Sequence, residues 1–212
     1  MRGAKVGTKV RDTESTDIVA ENSLVQTYAI NDAMNQLILT HLDARVWRAK
    51  PPGEQRGGRT IGAIFAHLHN CRLRWLRKSA PHLKCPAALD PHRCTMKQAS
   101  AALAQSGAQC VRMLAEALGG GAGDELRTSL KTGHYKAGLV TRFVRDTWMP
   151  IWFPDGAMFA YMFSHEAHHR GQILMLAHQL GYRLPAKIMG GIWNWDKLWK
   201  QQGIERRYIR QL

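Results

Sequence analysis

Apolar residues recur at helical spacing in four stretches of the chain, and breaks rich in proline and glycine separate these stretches. The pattern predicts helices at about 23–42, 61–78, 95–118 and 156–180. A tryptophan-rich segment at 192–199 predicts one more short helix. We therefore expect an all-α fold, a four-helix bundle with a short additional C-terminal helix.

Local sequence signals support the predicted ends of these helices. Thr60 is a predicted N-cap, and Thr95 with Gln98 forms the pattern of a capping box. Asp155 is the predicted N-cap of the fourth helix, and Gly181 is placed to end it. Residues 124–154 are hard to interpret, because 140–148 fits either a short strand pair or one helical turn.

Length and composition predict one main domain. The 212 residues are enough for a single sizeable core, which we place at 23–212. Residues 1–22 are polar and of mixed charge, so we expect a poorly ordered N-terminal extension there. We find no apolar run long enough for a membrane span and no apolar stretch of a secretory signal. These features predict a cytoplasmic protein.

The chain carries a formal charge of +14, which raises the question of a nucleic-acid partner. Its basic residues are scattered, however, and no nucleic-acid-binding motif accompanies them. We therefore do not expect nucleic acid as a partner. The four cysteines include no C-x-x-C pair, and in a reducing compartment we expect them to be free thiols.

Two histidines stand four residues apart in the predicted fourth helix. Helical geometry places the side chains of His165 and His169 about 40° apart around the axis and one turn apart along it. The helix is otherwise apolar nearly all round, so it should be buried in the bundle. Burying unpaired imidazoles is costly. Two imidazoles on one face can bind one metal ion, and we infer that a metal is their partner.

A catalytic metal site usually has three protein ligands, so a third should come from another helix. His67 and His69 lie in an apolar part of the second helix, and their spacing points them to different faces. His67 shares a face with the apolar positions and is the stronger candidate, with His69 as the alternative. Cys71 lies one turn after His67, where it is either a fourth soft ligand or a small buried side chain.

Three stretches resemble the DinB/YfiT-like metal-binding proteins, and the resemblance extends over about residues 24–200. They are 59–76 (RTIGAIFAHLHNCRLRWL), 164–172 (SHEAHHRGQ) and 191–196 (GIWNWD). The resemblance implies a four-helix bundle, often a homodimer, that binds a divalent metal such as zinc or nickel. Carried over to this chain, the metal ligands are His67, His165 and His169. Some relatives of this kind use the metal to activate a low-molecular-weight thiol for transfer to a small electrophilic substrate.

Other interpretations stay open from the sequence. The segment 165–169 also satisfies H-E-x-x-H, in which Glu166 would be the general base of a metal-dependent hydrolase. Candidates for supporting roles beside the metal are His168, Glu166, Arg170 and Gln172, which could orient ligands, move a proton or bind an anionic substrate. A further alternative is a non-catalytic stress-response protein whose metal only ties the second and fourth helices together.

Overall fold

The computed structural model describes residues 23–50, 53, 58–118, 140, 143–144, 151–152 and 156–201. The predicted extension at 1–22 and the predicted N-cap Asp155 lie outside these residues, and so does most of the stretch 124–154. The division into an extension and one domain therefore stays a prediction.

Four long helices form the bundle, and the predicted fold class is confirmed. They are α1 (Ser23–His41), α2 (Ile61–Ser79), α3 (Met96–Leu118) and α4 (Gly156–Gln179). A short 3-10 helix (Ala44–Val46) follows α1. Two short helices, α5 (Ala186–Gly191) and α6 (Trp195–Gln201), follow α4, where the sequence predicted one. The pair Gly190-Gly191 forms the last residues of α5.

The predicted caps explain where the helices begin and end. The Thr60 hydroxyl accepts a hydrogen bond from the backbone of Ala63 at 3.2 Å. Thr95 and Gln98 exchange backbone-to-side-chain bonds of 2.8 and 3.2 Å, which is the predicted capping box. Gly181 follows α4 with φ of +84°, a conformation that favours glycine.

A pair of short antiparallel strands forms in the region where the sequence fitted either a strand pair or a helical turn. β1 (Phe143–Val144) pairs with β2 (Ile151–Trp152). The Ser79 hydroxyl at the end of α2 accepts a bond from the Val144 backbone at 2.8 Å, which fixes β1 against the bundle. Phe143 is fully buried, with its ring centroid 6.3 Å from that of Trp75.

The apolar core consists of two clusters with polar residues between them along the helices. On α4, Met162 belongs to one cluster and Ile173 to the other, and buried Glu166, His169 and Arg170 lie between these two positions. Buried polar groups need partners. This middle layer is therefore where a site is expected. Among the described helices, none is long and apolar enough to cross a membrane.

Candidate metal centre

The middle layer brings together histidines from α2 and α4. The ring centroid of His67 lies 5.5 Å from that of His165 and 4.7 Å from that of His169. The centroids of His165 and His169 are 4.6 Å apart. The three histidines that the family resemblance suggested as ligands thus converge, although His67 is far from the other two in sequence.

Donor atoms define a slightly different group at the same place. One donor atom each from His67, Cys71 and His165 all lie within 4.8 Å of one another. Within the described part of the chain, His169 is not in that group, although its ring adjoins the other two. Imidazole nitrogen and thiolate sulfur are the donors that zinc and other borderline metals prefer. The cluster is compatible with metal binding.

Gln172 fixes the ring of His169. The Gln172 Oε1 atom lies 2.7 Å from His169 Nδ1, so Nδ1 donates and carries the proton. The neutral ring then has its lone pair on Nε2, the nitrogen available to a metal. The Gln172 amide nitrogen, at 3.0 Å, donates to Nε2 of His168. Gln172 therefore holds two neighbouring imidazoles in defined tautomers.

The surroundings keep two of the clustered imidazoles, His67 and His169, uncharged. Burial, together with neighbouring His169 and Arg59, lowers the pKa of His67 to about 3. Burial also lowers the pKa of His169, and the nearby His168 adds to this effect. Both rings are neutral at pH 7, so their lone pairs need no deprotonation before they can bind a metal.

His69, the alternative third ligand, lies elsewhere. It is fully buried, with Nδ1 3.0 Å from the hydroxyl of Ser106 and Nε2 2.8 Å from the carbonyl oxygen of Ala87. Both ring nitrogens thus bond other groups. Residues two apart on a helix point about 200° apart, which is why His67 and His69 face different neighbours.

Glu166 lies one residue after His165 and is fully buried. Its Oε1 accepts bonds from the Tyr28 hydroxyl at 2.6 Å and from Arg72 Nε at 2.7 Å. Its Oε2 accepts 2.7 Å bonds from Asn31, Asn35 and Arg72 Nη2. Burial opposes ionisation, but the charge of Arg72 and these bonds hold the pKa of Glu166 below its usual value.

This environment excludes the role of a general base for Glu166. Its lone pairs accept five hydrogen bonds, and its low pKa makes it a poor proton acceptor. The side chain bonds Tyr28 and two asparagines of α1. The H-E-x-x-H pattern is therefore a coincidence of spacing, and the carboxylate instead joins α1, α2 and α4.

Arg72 is a residue that the sequence alone did not indicate, because other arginines stand near it in α2. Besides Glu166, its guanidinium bonds Asp32 at 2.7 Å and the Leu103 carbonyl oxygen at 2.9 Å. Arg170 donates to the side-chain oxygens of Asn31 and Asn35, the latter at 3.2 Å. Its contacts are thus internal, and no anion-binding role follows for it. We call Glu166, Asp32, Arg72, Arg170, Asn31, Asn35 and Tyr28 the buried polar network.

A sequence signal for the network did exist. Tyr28, Asn31 and Asn35 repeat at spacings of three and four on α1, which places them on one face of that helix. Polar side chains on a buried face need a polar or charged partner. The spacing could therefore have predicted that α1 faces the carboxylate of α4.

The fold and the donor cluster define a helical-bundle protein with a candidate metal centre between two core helices. The family model described as DinB family matches residues 19–190, which is most of the chain. The protein therefore belongs to the DinB family, as the sequence resemblance indicated. No curated protein and no solved structure matches the chain significantly.

Proposed function

We propose that the protein binds a divalent metal, zinc or nickel, between α2 and α4 through the imidazoles of His67, His165 and His169. The convergence of these three rings, with centroids 4.6–5.5 Å apart, carries the proposal. The neutral state of His67 and His169 and the tautomer that Gln172 sets for His169 also fit a metal ligand set.

We further propose that the metal serves an enzyme that transfers a low-molecular-weight thiol to a small electrophilic substrate. A bound divalent metal lowers the pKa of a thiol or a water molecule, which makes either a better nucleophile at neutral pH. Aromatic rings shield the centre from water on one side. The centroid of the His165 ring lies 5.4 Å from that of Trp75 and 6.1 Å from that of Tyr161.

A structural role for the metal is the second candidate, and the position of the cluster favours it. The donors come from α2 and α4, which are separated by residues 80–155 in sequence, so a metal would tie the two helices together. Metal binding to the folded state adds directly to its stability. A large drop in melting temperature on chelation would favour this candidate over catalysis.

Metal analysis tests the centre itself. We expect wild type purified without a nickel column to contain about one divalent ion per chain, and His67→Ala and His165→Ala to lose it. His82→Ala is the matched control, because His82 lies at the surface and bonds Glu116. Full metal content in both cluster variants would refute the proposed centre.

A turnover screen tests the chemistry. The metal-loaded protein is mixed with low-molecular-weight thiols and small electrophiles, and thiol consumption is followed. We expect turnover that disappears on chelation and in His165→Ala. If metal binds but no thiol reacts, the thiol-transfer proposal is refuted and the structural candidate stands.

We also propose a homodimer in a reducing compartment such as the cytoplasm. All four cysteines are free thiols, and three of them are buried, which suits a reducing environment. Light scattering of the purified protein tests the homodimer, with a monomeric mass as the contradicting result.

A further inference from the structure

We propose that Cys71 is a fourth protein ligand of the metal centre, so that three imidazoles and one thiolate surround the ion. This inference rests on the proposed metal-binding function and assigns one more of its ligands. Cys71 belongs to a cluster of donors from two helices, since its sulfur lies within 4.8 Å of donor atoms of both His67 and His165.

The four donors form two matched pairs. His67 and Cys71 are four residues apart on α2, and His165 and His169 are four residues apart on α4. Each pair therefore projects from one face of its helix, one turn apart. A tetrahedral ion would need both pairs to face one point. Donor atoms of His67, Cys71 and His165 lie within 4.8 Å of one another, and the ring of His169 adjoins both other histidines.

The distance between the two donors on α2 suits a shared ion. Zinc lies about 2.3 Å from a thiolate sulfur and about 2.0–2.1 Å from an imidazole nitrogen, so tetrahedral angles place the two donors roughly 3.6 Å apart. Cys71 Sγ lies 3.5 Å from His67 Nε2 and 3.8 Å from Nδ1. The two side chains thus already have the separation of two ligands of one metal.

Burial argues for a metal-bound rather than a solvent-facing thiol. Only 7% of Cys71 is exposed, and it packs within the apolar cluster of Trp75 and Met162. A thiolate in such surroundings needs a cation beside it. A divalent metal supplies that charge, and a sulfur donor in turn favours zinc or another soft ion over magnesium or manganese.

A fourth protein ligand changes what the centre can do. The thiolate fills the position that an open catalytic site keeps for water or substrate, and it reduces the net charge of the ligated ion. The resting centre is then closed, as structural zinc sites are. A thiol cofactor would have to displace Cys71 or bind as a fifth ligand.

Cobalt(II) substitution tests the assignment, because cobalt reports its ligands by absorption. We expect cobalt-loaded wild type to show the visible bands of a tetrahedral ion and a near-ultraviolet sulfur-to-metal charge-transfer band. Cys71→Ser should keep one bound cobalt and lose the charge-transfer band. Cys110→Ser is the matched control, because Cys110 is also buried and lies outside the donor group. That control should keep the band.

The affinity for zinc gives a second measurement, made by competition with a chromophoric chelator. We expect Cys71→Ser to bind zinc at least about tenfold more weakly than wild type, since even the loss of an indirect partner of a ligand has an effect of this size. Cobalt-loaded wild type with visible bands but no charge-transfer band would overturn the assignment of Cys71 alone. If wild type binds neither cobalt nor zinc, the proposed metal function fails as well.

Discussion

Glu166→Gln is the most informative perturbation of the fold, because it removes one charge from the buried polar network and changes the side-chain shape very little. Glu166 accepts five hydrogen bonds of 2.6–2.7 Å, and two of them come from Arg72. A glutamine has one oxygen and one NH₂ group. In the variant, the NH₂ group would face hydrogen-bond donors that a carboxylate oxygen accepts from in wild type, so two donors would face each other.

The loss of stability depends on the charge of Arg72, which stays buried after the substitution. Breaking a fully buried ion pair by changing one partner costs about 3–5 kcal/mol, because the other charge is left in the interior. Asp32 limits the loss, since its carboxylate lies 2.7 Å from Arg72 and stays in place. We therefore expect a loss of about 3 kcal/mol for Glu166→Gln, at the lower end of that range. For a chain of this length the melting temperature should fall by roughly 6–12 °C.

Urea unfolding followed by circular dichroism measures the loss, with a chelator present so that metal binding does not mask it. Glu116→Gln is the matched control, because Glu116, like Glu166, bonds an arginine, but at the surface, where it also bonds a histidine. Exposed ion pairs contribute about 0–1 kcal/mol, so this control should change little. Equal losses in the two variants, or a loss below about 1 kcal/mol for Glu166→Gln, would refute the reasoning.

Four further predictions concern stability. Gly107→Ala should destabilise the fold by about 1–3 kcal/mol, because the added Cβ would lie 2.6 Å from the carboxyl group of Asp32. Gly171→Ala has open space around the added Cβ and should stabilise the fold by about 0.5–1 kcal/mol. Urea unfolding measures both, and equal effects would contradict the packing argument. His69→Ala should keep its metal in elemental analysis but melt at a lower temperature, because it leaves buried partners unsatisfied; loss of the metal would contradict the assignment. Thr95→Ala should cost about 1 kcal/mol in urea unfolding through the lost helix cap, and an unchanged midpoint would count against it. With a chelator present, the stability of the protein should fall as pH is lowered from 6.5 towards about 3, because His67 is protonated in the unfolded state and not in the folded state. Thermal melts of His67→Gln across that range should show a weaker pH dependence than wild type. An identical dependence would contradict the lowered pKa of His67.

Helix ends were predictable because their causes are local. Thr60 bonds a backbone group three residues away, and Gly181 ends α4 through its own dihedral angle. A signal of this kind is complete within one short stretch of sequence. The spacing of His165 and His169 is equally local, so their shared face could be predicted.

The direction of side chains between helices could not be predicted in the same way. Arg72 stands in a basic stretch with Arg74 and Arg77, which are exposed, and nothing nearby in sequence separates it from them. Its partner Glu166 is 94 positions away. Only the packing of the helices decides which arginine faces inward, and the same packing separates the roles of His67 and His69.

The separation of 94 residues between Arg72 and Glu166 also matters while the chain is being synthesised. At about 5–20 residues per second, the ribosome releases the arginine roughly 5–20 seconds before the glutamate. Of the carboxylates of Asp32 and Glu166, which both bond Arg72 in the folded protein, only that of Asp32 has been synthesised during that interval. The order of translation therefore makes the arrival of α4 the step that completes the buried polar network.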